Sequence, residues 1–181
     1  MEWFVSAVSH PDLGAWSQAD FAEGDEEKLK RKLSTLQLEF IGSRWQAGVP
    51  LTRGWMAWEK WGEFLPAQVK AYKKSTARRK KGRKTKVAPL SRLLIPDAKR
   101  MDKILGKSFS IVEGEPYELA ATLELIPAYL AHLEDLGLIE ASDRERASQQ
   151  MRPMVANVPN IMASYDGDPV AVDNLMVAWE K

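Results

Sequence analysis

Between Lys70 and Lys86 the chain carries Lys70, Lys73, Lys74, Arg78, Arg79, Lys80, Lys81, Arg83, Lys84 and Lys86, with no acidic residue among them. Like charges at this density repel one another unless solvent or a polyanion neutralises them. Phosphate backbones do so and release condensed counterions, which is the source of sequence-independent nucleic-acid affinity. Arginine adds bidentate phosphate contacts and stacking that lysine does not supply. A second basic stretch follows, where Lys99, Lys103 and Lys107 recur every four residues beside Arg100 and make one face of a short helix continuously positive. The nucleic-acid-binding set expected from this pattern is Lys73, Lys74, Arg78, Arg79, Lys80, Lys81, Arg83, Lys84, Lys86, Lys99, Arg100 and Lys103. The pattern selects a polyanion without separating DNA from RNA. An acidic protein surface satisfies the same electrostatics, and so does simple solvation of a loop.

The whole-chain charge of +1 hides this segregation. From Lys70 to Lys107 there are fifteen Lys and Arg against Asp97 and Asp102, a net of +13, and the rest of the chain carries −12. Such asymmetry directs one region toward an anionic partner.

Other residues with chemical potential have ordinary structural readings. Trp55, Trp58 and Trp61 resemble stacking aromatics beside a basic arm, yet they share a helical face with Leu65 and Val69, as core residues do. His10 sits in a turn before Pro11. His132 lies at the edge of an apolar helical face, where a partly buried structural histidine is expected. Asp166-Gly167-Asp168 echoes the start of a calcium loop, but no terminal glutamate follows at the required spacing and Pro169 suits a helix start. Glu113, Glu115 and Glu118 are carboxylates without an evident partner. There is no phosphate-binding glycine loop and no nucleophile elbow. No catalytic residue, cofactor or metal site is therefore expected, and the chain does not read as an enzyme.

The 181 residues suffice for a single domain that buries about 70% of its unfolded surface. The absence of cysteine removes disulfides, thiolate-bound zinc and thiol catalysis, and fits a reducing compartment. No apolar run reaches the roughly 20 residues of a membrane span, and the N-terminus lacks a secretory pattern. A cytoplasmic location is expected, with a virion component as the alternative.

The elements that must position the basic residues read as mainly α: a compact bundle of about five or six helices spanning 1–181, with a flexible polybasic segment at about 73–89. Residues 3–8 form either a short strand or a buried helical turn, followed by turn and loop to Gly24. As a strand, they would pair with the apolar run 109–112 in one short two-stranded β element. A helix over 25–47 is opened by Asp25, Glu26 and Glu27 and closed by Gly48 and Pro50. The next spans 52–74, kinked or divided near Pro66. A short helix runs from the cap Asp97 to Leu105, stopped by Gly106. The widest apolar face lies in 116–136, kinked at Pro127 and closed by Gly137. Ser142 with Glu145 suggests a capping box for a helix to about Met151. Pro153 and Pro159 then divide 152–165 into short, Met-rich pieces. A last helix begins at Asp168-Pro169.

Two functional expectations follow. One is a non-catalytic nucleic-acid-binding accessory subunit of a larger nucleoprotein assembly, whose arm grips DNA or RNA phosphates while the body docks on other protein subunits. The other is a structural or assembly protein, such as a virion component or adaptor, whose arm meets acidic protein surfaces.

Overall fold

A computed structural model describes residues 2–9, 16–21, 25–79, 90–108, 116–164 and 169–180. Among them there is no strand. The helices are α1 (Glu2–Ser9), α2 (Glu26–Gln46), α3 (Leu51–Arg79), α4 (Ser91–Leu94), α5 (Ala98–Ser108), α6 (Pro116–Glu124), α7 (Ile126–Asp135), α8 (Ala141–Ser164) and α9 (Pro169–Glu180), with a 3-10 turn at Gln18–Phe21. The all-helical reading holds, with more helices than the five or six expected.

Residues 3–8 are helix, which removes the strand alternative and with it the suggested β pair; its other half, 109–112, lies outside the described residues. Phe4 and Val8, four apart, are both fully buried on one side of α1, where it packs on α2. Gly42 makes that approach possible: a Cβ there would stand 2.7 Å from the Val8 carbonyl oxygen.

α2 begins where the charge pattern places it. The Asp25 carboxylate accepts the Lys28 backbone N–H at 2.7 Å, which satisfies one donor that a helix start leaves open. Gly48, at φ +92°, turns the chain out of the helix. α3 is one unbroken helix through Pro66 and continues past Lys74 to Arg79. The missing N–H of Pro66 removes one hydrogen bond, while burial of Trp61, Phe64, Leu65 and Val69 on either side holds the helical path.

The wide apolar stretch after residue 116 is two helices. α6 stops at Glu124, Leu125 bridges, and α7 starts with Pro127 in its first turn, where a missing N–H costs least. Gly137, at φ +67°, ends α7. α8 differs from expectation at both ends. It starts at Ala141, with the Glu140 carbonyl accepting from Asp143 and Arg144, so Ser142 lies inside the helix and bonds the Glu140 carboxylate at 3.5 Å rather than capping. It also runs unbroken through Pro153 and Pro159 to Ser164. The stripe Ala147, Met151, Val155, Val158 and Met162 keeps it on the core, and Pro153 is on the exposed side. Pro169 opens α9 as expected; Asp168, its suggested cap, lies outside the described residues.

α3 is central: α2 packs on one side of it and α6 on another, α6 in turn contacts α9, and α8 closes against α5, α6, α7 and α9. Trp61, 1% exposed, sits where these helices meet, with Phe40 and Tyr129 rings 6.1 and 5.0 Å away. Two ion pairs stitch the α3–α6 seam. Arg53 meets Glu124 at 3.0 Å, and Lys60 meets Glu118 at 2.8 Å and Glu63 at 3.2 Å. Burial pushes the Glu124 carboxyl up against the opposing pull of Arg53. Burial also works to lower the Lys60 ammonium, but Glu118 and Glu63 outweigh it and hold it above its ordinary value.

Candidate nucleic-acid interface

The basic sequence emerges from the last turns of α3 and is followed, beyond α4, by α5. Lys70 and Lys74 are exposed on α3, and Lys73 is half-buried. Arg78 and Arg79 lie in the final turn of the α3 backbone, so the helix carries its charge farther than the spacing of apolar residues indicated. Lys80, Lys81, Arg83, Lys84 and Lys86 fall outside the described residues. On α5, Lys99 and Lys103 are exposed one turn apart, while Arg100 is half-buried. The Asp97 carboxylate caps this helix as expected, accepting the Arg100 backbone N–H at 3.0 Å; the helix passes Gly106 and ends at Ser108.

Of the described cations outside the basic region, Lys30, Lys32, Lys60, Arg53, Arg144 and Arg146 each face a carboxylate, while Lys28, Arg31, Arg44 and Arg152 enter no side-chain ion pair. Among the described residues, Lys70, Lys74, Lys99, Lys103, Arg92 and Arg100 enter no side-chain ion pair.

Arg100 belongs to a cleft of about 530 Å³ formed by α3, the α4–α5 segment and α8. Gln68 and Tyr72 come from α3, Ser91, Arg92 and Asp97 from α4 and its exit, and Asp143 and Arg146 from α8. Gln68, 5% exposed, builds this corner. Its amide donates to the carbonyls of Leu93 and Ile95, the latter at 3.0 Å, which ties the C-terminal end of α4 to α3. Leu93 and Leu94 are buried beneath, and the Tyr129 hydroxyl reaches the Leu94 carbonyl at 3.5 Å. Ser91 is 4% exposed, and its hydroxyl has no hydrogen-bond partner among the described residues. Burial pushes the Tyr72 phenol up, so it remains a neutral hydroxyl across the physiological range. Sequence reasoning found Arg100 but missed Arg92, Arg146, Ser91 and Tyr72 as its companions, because they come from separate segments with no shared spacing.

The remaining candidates have structural roles. Trp55 and Trp58 are half-buried against the core, meeting Phe4 at 4.9 and 5.6 Å, and Trp58 is covered by the exposed Trp3 at 5.7 Å. With Trp61, they are packing residues. His132 is half-buried, 5.5 Å from the Phe40 ring, and burial lowers its pKa against the pull of Asp135. Glu118 is occupied by Lys60. His10, Glu113, Glu115, Asp166, Gly167 and Asp168 lie outside the described residues. Among those described, no cluster of His, Asp or Glu is arranged to hold a metal ion, and no helix is long and apolar enough to cross a membrane.

No family model matches this chain, and no curated protein or solved structure matches it.

Proposed function

We propose that this protein is a non-catalytic nucleic-acid-binding subunit that holds phosphates through its basic region while its helical body docks within a larger assembly. The observation that carries this reading is the concentration of fifteen Lys and Arg against two acidic residues between Lys70 and Lys107, within which Lys70, Lys74, Lys99 and Lys103 enter no side-chain ion pair among the described residues. A carboxylate-rich body was available in sequence to neutralise these cations. It leaves them free for a partner that brings its own negative charge. The cations lie on the elements that flank the polybasic run in sequence, on α3 before it and α5 after it.

The expected binding is sequence-tolerant, because phosphate contacts position a strand without reading it. With about five phosphates engaged, affinity falls by about two to three decades between roughly 50 and 200 mM salt. A fluorescence-anisotropy titration with labelled single- and double-stranded oligonucleotides measures this slope. Replacing Arg78, Arg79, Lys80 and Lys81 with Ser should weaken all sequences alike and flatten the slope. A salt-independent affinity, or selective loss for one target sequence, contradicts backbone binding.

A further inference from the structure

The cleft at Arg92, Arg100 and Arg146 has a composition that the polybasic run does not explain. Three arginines from separate helices line one concavity, and of them Arg146 is paired, to Asp143. The other carboxylate, Asp97, accepts the backbone N–H that starts α5. Arg92 and Arg100 therefore border the cleft with no carboxylate of their own among the described residues. Ser91, at the start of α4, lies beside Arg92 in the same lining. Ile95, Pro96 and Ala147 add apolar lining.

We infer that this cleft is a binding site for a phosphate monoester. Guanidinium forks match the tetrahedral oxygens of a phosphate better than a lysine ammonium does. Three arginines against Asp97 and Asp143 leave the lining net positive, which favours an anionic group. The volume falls within the range of small-ligand sites and accommodates a phosphate with one attached organic group against the apolar lining. This site goes beyond the phosphate-tracking arm: it selects a terminal phosphate, which a continuous backbone does not present. That terminus comes either from a small phosphorylated metabolite or from the end of a nucleic-acid strand.

Calorimetric titration of the full chain with adenosine 5′-monophosphate, adenosine and inorganic phosphate tests the assignment. The monophosphate should bind about tenfold or more tightly than adenosine, and inorganic phosphate should compete with it. Arg92→Gln and Arg100→Gln should each abolish that advantage while leaving the thermal unfolding curve in place, since Arg92 is exposed and Arg100 half-buried. The fourfold Ser variant of the arm should keep the monophosphate affinity, which separates failure of this site from failure of the arm. A 5′-phosphorylated oligonucleotide that outcompetes its 5′-hydroxyl counterpart in that arm variant identifies a strand end as the source. Preference for the mononucleotide alone identifies a metabolite. Equal binding of monophosphate and adenosine, or monophosphate binding unchanged by both arginine variants, overturns the proposal.

Discussion

Replacing Trp61 with alanine separates the two roles its sequence position suggests. The side chain is 1% exposed and its ring lies 6.1 Å from that of Phe40 and 5.0 Å from that of Tyr129. Truncating a buried tryptophan costs about 3–5 kcal/mol through lost transfer energy and the cavity left behind. Each aromatic contact adds about 0.5–1.5 kcal/mol beyond buried area, which places Trp61→Ala in the upper part of that range, about 4–5 kcal/mol. In a chain of this length each kcal/mol lowers Tm by about 2–4 °C, so the expected fall is about 8–20 °C. Trp61→Phe should cost far less, about 1 kcal/mol. Phenylalanine keeps a ring beside Phe40 and Tyr129 and removes an indole N–H that has no acceptor among the described residues. Far-UV circular dichroism during heating measures both variants, and anisotropy with the same oligonucleotides measures binding below Tm. A Trp61→Ala protein that unfolds within about 3 °C of the parent yet loses oligonucleotide affinity would refute the packing assignment.

Two further substitutions and one titration follow from particular contacts. Gly42→Ala places a methyl group 2.7 Å from the Val8 carbonyl, where backbone rather than a movable side chain must give way. It should destabilise by about 1–3 kcal/mol, read as a lower urea midpoint. Gly62→Ala, inside α3 with nothing within 4 Å of the new methyl, should instead stabilise by about 0.5–1 kcal/mol; equal signs for the two would contradict the α1–α2 contact. His132 titrates with a lowered pKa in the folded chain because burial opposes its charged form, and the unfolded chain retains the ordinary value near 6.5. Stability from this group is complete above that value and is lost as pH falls through the folded pKa, because the unfolded chain binds the proton first. Urea midpoints between about pH 7.5 and 5 should decline in the parent and decline less in His132→Gln; parallel curves would exclude the histidine as a source.

What the sequence displayed and what it concealed divide along one physical line. Features set by neighbours in the chain were legible: the Asp25 cap of α2, the positive-φ turns at Gly48 and Gly137, the proline start of α9, and the apolar faces of α3 and α7. Local rules failed where burial on a distant element outweighed them. Pro153 and Pro159 each remove a helical hydrogen bond, but Met151, Val155, Val158 and Met162 are all buried, and their packing holds α8 together across both prolines. Residues 3–8 are helical because Phe4 and Val8 must reach the same surface of α2, which period-two burial in a strand would also permit at Phe4 and Val8. The short run alone therefore does not decide between the two.

The same division explains the candidate sites. A run of lysines and arginines is visible wherever it occurs, since it is one contiguous composition, and its chemistry is correspondingly unselective. The arginine cleft draws Arg92 from α4, Arg100 from α5 and Arg146 from α8, and the buried amide of Gln68 ties the end of α4 to α3 through the carbonyls of Leu93 and Ile95. Nothing in the spacing of those arginines announces that they line one cleft. Such a lining exists only once separate helices have packed, so contiguous composition and tertiary packing carry different information about where this chain places its positive charge.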